Sequence, residues 1–176
     1  MSEASGESPR HLFLSHRDIQ PDNKIVFVIR WALEHPGEDG APFAGEAPIR
    51  VYQAKVDYQL GLDIRKKIFP NILSSVGLVA LWTSQAAEKP DWVLREIRYA
   101  RRHGKLVALL VQPGIDLPPG LPKYVEHFRL DEFGSDAGFG NIPIPLQIQW
   151  ITRTITALRT FYANGVRAET NRSGPG

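Results

Sequence analysis

A chain of 176 residues with a formal net charge of +2 has the size of one domain able to bury a real core. Hydrophobic residues at 43% and charged residues at 23% suit an ordinary globular protein, and no run nears the roughly 18 apolar residues of a membrane helix. Zero cysteines exclude disulfides, thiolate metal sites and cysteine nucleophiles.

The opening "MSEASGESPR" is polar and mixed in charge, neither a signal nor a transit peptide. A flexible leader over 1–10 is expected, in a cytoplasmic protein whose lack of cysteine agrees with a reducing compartment. "HLFLSH", His11 to His16, is the first strand. A helix follows, because Ile25, Val28, Ile29, Ala32 and Leu33 recur at the spacing of one buried stripe. Glu34 to Pro48 is rich in Gly, Pro and acid and reads as a long, mobile loop. "IRVYQAK" from Ile49 is the second strand, and a helix starting near Asp63 turns Ile64, Ile68 and Ile72 inward. Pro70 conflicts with that helix and predicts a kink or a break.

"VGLVALWTS", Val76 to Ser84, is nearly continuous apolar sequence, as a strand covered on both faces requires. Pro90 and Asp91 open the next helix, with Asp91 as its N-cap and Gly104 closing it. "KLVALLV", Lys105 to Val111, is a fourth strand, "EHFRL" a short edge strand, and the last helix spans about Pro145 to Tyr162. The domain then covers 11–163, and 164–176 is expected to be a disordered tail. Strands alternating with helices predict an α/β fold of about five parallel strands wrapped by helices, with ligands at the carboxyl ends of the strands.

Familiar catalytic signatures are absent: no G-x-G-x-x-G after the first strand, no phosphate loop, no G-x-S-x-G elbow, no H-E-x-x-H. The basic cluster Arg95, Arg98, Arg101 and Arg102 lacks interleaved aromatics and reads as a solvated helix face, so neither nucleic acid nor a membrane is an expected partner. One carboxylate stands out. In "DWVLREI", Val93, Ile97 and Ala100 form the buried stripe, and Trp92, Glu96, Tyr99 and His103 form the adjacent row. The residues three and four positions from Glu96 are Val93, Trp92, Tyr99 and Ala100, none of them basic. Such a group either reaches solvent or is kept for a ligand, and Trp92 is either core or a platform.

The order of pieces is more specific than any one of them. "FLSHRD", "GLDIRKKI", "SSVGLVALWTS", "WVLREIRYA" and "GKLVALLV" in succession resemble the Toll/interleukin-1 receptor (TIR) domain family over roughly Leu12 to Phe133, closest to its prokaryotic, NAD-consuming branch. The resemblance implies a flavodoxin-like sheet and an enzyme that cleaves the nicotinamide–ribose bond of NAD. It implies Glu96 as the catalytic residue of W-x-x-x-E, with Ser15, His16, Arg17 and Trp92 contacting substrate. "AKVDYQLG" resembles the loop that borders the site and drives self-association, but Gln53 and Ala54 stand where an acid is common, and Asp57 is the substitute. NAD is then substrate, with no separate cofactor or metal. A homo-oligomer and a separate effector or sensor protein are the implied partners, and antiphage defence the implied setting. A second reading is a non-catalytic TIR scaffold acting by homotypic assembly. A receiver or FMN domain is a third, opposed by the basic "SHRD" where a receiver needs carboxylates.

Overall fold

The computed structural model describes residues 10–20, 22–38, 43–53, 64–121, 126–129 and 144–172. In chain order the elements are β1 (His11–Ser15), α1 (Asp22–Glu34), β2 (Arg50–Gln53), α2 (Ile64–Ser74) and β3 (Gly77–Trp82). Then follow α3 (Ser84–Glu88), α4 (Asp91–Arg102), β4 (Leu106–Val111), β5 (Glu126–Arg129) and α5 (Ile144–Arg172). All strand pairs are parallel, in the order β2-β1-β3-β4-β5. This is the α/β, flavodoxin-like arrangement expected from the alternating pattern. The leader, Asp57 and its neighbours in "AKVDYQLG" lie outside the described residues.

Strand side chains alternate between two cores, which explains why β3 and β4 read as unbroken apolar runs. Leu12, Leu14, Val79, Leu81, Ala108 and Leu110 face α1 and α5. Phe13, Leu78, Ala80, Trp82, Leu109 and Val111 face α2, α3 and α4. All six residues of β3 are buried, so it is the centre of the sheet. At the β2 edge the Val51 N–H donates to the Glu34 carboxylate at 3.1 Å, which withholds one backbone donor from edge-to-edge pairing.

Four details depart from the sequence reading. Pro70 does not divide α2, which runs through it as one helix with the proline exposed. Asp91 is not an N-cap: Pro90 holds that position in helical backbone, its carbonyl accepts from the Leu94 N–H at 2.9 Å, and Asp91 is the first helical residue. The loop after α1 is held at its far end, where Arg159 donates to the Ala47 carbonyl at 3.0 Å and covers the Phe43 ring at 5.3 Å. Most of all, 164–172 is not a tail. It is the end of α5, with Val166 against the core, the Glu169 carboxylate accepting from Lys105 at 2.7 Å, and Arg172 donating to the Gly104 carbonyl at 2.5 Å. These anchors are polar or contributed by distant residues, so apolar periodicity does not register them.

Candidate active site

The residues that follow β1 and β3 meet the first turns of α1 and α4 at the carboxyl end of the sheet. Four of the side chains gathered there are polar and buried: Ser15, His16, Asp22 and Thr83. Glu96 joins them from α4.

Glu96 is only 1% exposed. Amphipathic α4 buries Val93, Leu94, Ile97 and Ala100 on the sheet, and the same rotation carries Glu96 inward rather than to the edge of the stripe. Neither carboxylate oxygen has a hydrogen-bond partner, and the Ser15 hydroxyl is likewise unpartnered. Burial raises the Glu96 pKa to about 7, opposed in part by the nearby Ser15 hydroxyl and Trp92 indole. Those two groups are close enough to favour the charged form, yet neither closes a bond of ordinary geometry on the carboxylate. The absence of a basic neighbour on the helix extends to three dimensions: no ion pair reaches Glu96 among the described residues. An unpartnered buried carboxylate is costly, and native proteins keep few of them without use.

Trp92 is half-buried against the core shared by α2, α3 and α4, with the Arg95 guanidinium over its ring at 5.7 Å. It lies one turn from Glu96, so both ordinary packing and a position beside a ligand are realised at once.

His16 is held by a short relay. Asn23 donates through its amide to Asp18 at 2.8 Å, which turns its carbonyl oxygen to His16 Nε2 at 3.0 Å. Nε2 therefore carries the proton, and Nδ1 is left buried without a bond of ordinary geometry. Burial lowers the His16 pKa, against the opposing pull of Asn23 and Asp18, so the ring is neutral at pH 7. Arg17 is partly exposed and donates to the Lys89 carbonyl at 3.3 Å, which leaves most of its guanidinium free to meet an anion.

The sequence reading missed Asp22. It sits in the first turn of α1, where an acid is an unremarked match to the helix dipole. In the fold it is 0% exposed, one oxygen accepts from the Thr83 hydroxyl at 2.9 Å, and the other has no partner. Burial raises its pKa to about 6, with Thr83 and then Arg17 pulling it down. Thr83 was flagged only by its place after β3, and its partner is too far along the chain for any spacing rule to find. Ser15, His16, Arg17, Trp92 and Glu96 thus converge as the resemblance implies. Neither a family model nor a curated protein matches the chain.

The arrangement offers a carboxylate with two vacant oxygens, a free hydroxyl, a neutral imidazole and a guanidinium. Among the described residues no group of three or more His, Cys, Asp or Glu could hold a metal ion. No helix there is long and apolar enough to cross a membrane.

Proposed function

We propose that this chain is a TIR-type enzyme that breaks the nicotinamide–ribose bond of NAD, by hydrolysis or by cyclisation to an ADP-ribose signal, within antiphage defence. The observation that carries the reading is Glu96, a buried carboxylate with both oxygens unpartnered beside the end of β1. Its position as the acid of W-x-x-x-E adds the resemblance.

The chemistry needs one such group. As the bond from ribose C1′ to the pyridinium nitrogen breaks, its electron pair neutralises that nitrogen and nicotinamide leaves uncharged. Positive charge develops on the ribose, as in glycoside hydrolysis. A fixed carboxylate stabilises that charge and accepts hydrogen bonds from two ribose hydroxyls, which would supply the partners that the Glu96 oxygens lack. Those bonds would also lower the Glu96 pKa and keep it ionised during reaction. Water attacking C1′ and losing a proton gives ADP-ribose, while attack by a nucleophile of the same molecule gives a cyclic product. Arg17 suits the pyrophosphate, and Trp92 suits the nicotinamide or ribose.

At 1% exposure the carboxylate is closed off in this conformation, so substrate entry requires an opening movement. Self-association is the trigger that the resemblance implies, with a separate effector or sensor protein as the further partner. The same closure favours a second reading, a TIR scaffold in which Glu96 is a structural acid. Incubating the chain with NAD at rising protein concentration and following nicotinamide separates the two. Release, with the product resolved as linear or cyclic, supports the enzyme. No release at any concentration, with oligomers present, leaves the scaffold.

A further inference from the structure

We infer a second site on the outer face of α4, a cavity for a small ligand bearing a polyphosphate group, held by Arg95, Arg98 and Arg102. It stands on its own residues and does not rest on the NAD reading. Positions i, i+3 and i+7 share one side of a helix, so the three guanidinium groups face the same way. All three are exposed, and with Asp91, Phe69 and Tyr99 they line a surface cavity.

Two ordinary explanations for helical arginines fail here. Cations in the last turn are favoured by the negative end of the helix dipole, which accounts for Arg101 and Arg102. Arg95 and Arg98 lie nearer the N-terminus, where a cation gains nothing from the dipole. Charge pairing fails as well, because no ion pair joins Arg95, Arg98 or Arg102 to a carboxylate among the described residues. Asp91 lines the same cavity without closing on any of them. Three arginines against one aspartate leave two positive charges uncompensated around one hollow. Like charges at helical spacing repel, and a bound anion would remove that repulsion.

The aromatic wall narrows the ligand class. Tyr99 is covered on one face by Phe69, with ring centroids at 4.0 Å, and on the other by His103 at 4.2 Å. No free Tyr99 face remains for a base to stack on. Forked guanidinium donors match phosphate oxygens in pairs, and a surplus of two charges suits a polyphosphate better than a monoanion.

Calorimetric titration of the full chain with inorganic triphosphate in low-salt buffer tests the site. Saturable one-to-one binding is expected. Arg95→Gln, Arg98→Gln and Arg102→Gln should each weaken it by about 10-fold or more. Arg101→Gln, the same charge on the same helix but outside the cavity, should weaken it by less than about 2-fold. A far-UV spectrum and melting temperature like the wild type's confirm that each variant is folded. An equal loss from Arg101→Gln would reduce the effect to the general field of a basic helix and overturn the site. So would absence of triphosphate binding in a protein that captures only long polyanions.

Discussion

The Thr83 hydroxyl donates to the Asp22 carboxylate at 2.9 Å and accepts from the Ala86 N–H at 3.3 Å. One hydroxyl thereby fastens the start of α1 to the start of α3, across the end of the sheet. It also helps to hold a second buried carboxylate near the first. Asp22 belongs to the helix layer of α1 and α5, and Glu96 to that of α2 and α4.

Thr83→Val removes the one hydrogen-bond donor to Asp22 and should cost roughly 1–3 kcal/mol at pH 8. The loss should shrink at pH 5, below the Asp22 pKa of about 6, where the carboxyl holds its own proton. Urea unfolding at both values measures the difference. A loss of equal size at the two would show that Asp22 ionisation plays no part.

Glu96 makes a second pH prediction. Its folded pKa of about 7 lies above the ordinary 4.5, so the native state holds a proton that the unfolded state releases. Stability therefore falls as pH rises from about 4.5 to about 7, and the full cost persists above that. Glu96→Gln removes this titration and should gain on the order of 3 kcal/mol relative to wild type between pH 4 and pH 8. A difference that stays flat with pH would place Glu96 in contact with water.

Gly165 inverts a helix rule. Alanine in a helix interior usually stabilises by about 1 kcal/mol over glycine. At Gly165 an added Cβ would lie 2.6 Å from the Val76 carbonyl oxygen, where backbone must move. Gly165→Ala should therefore lower stability by roughly 1–3 kcal/mol. A raised melting temperature would mean that the end of α5 does not dock on the strand as described.

The closed state of Glu96 sets expectations for kinetics. If NAD cleavage needs the opening that self-association provides, activity per chain should rise with protein concentration. The pH profile of kcat/KM should climb through about 7, the free carboxylate's pKa. The profile of kcat should turn at lower pH, because substrate hydroxyls hold the charged form. Coincident profiles would deny the carboxylate its proposed hydrogen bonds to substrate.

Apolar periodicity made the sheet and its layers legible. Val79 and Leu81 face one core while Leu78, Ala80 and Trp82 face the other, so a continuous apolar run is the natural signature of β3. Features held by polar or distant contacts were not legible. The end of α5 rests on Lys105–Glu169 and a glycine, and α3 is a five-residue polar helix opened by the Thr83 cap. Within the site, the lack of a local cation beside Glu96 could be read from spacing. Its full burial could not, because that depends on the rotation of α4 against β3 and β4. Asp22 escaped notice for the opposite reason: its local setting is ordinary, and only Thr83 makes it unusual.

The most direct measurement is nicotinamide release from NAD by Glu96→Gln beside wild type, at a concentration where wild type is active and with matched oligomeric state. Glutamine keeps the shape and removes the charge. The account predicts a loss of about 10²-fold to 10³-fold or more in kcat with the fold intact. Release by the variant at the wild-type rate would contradict it.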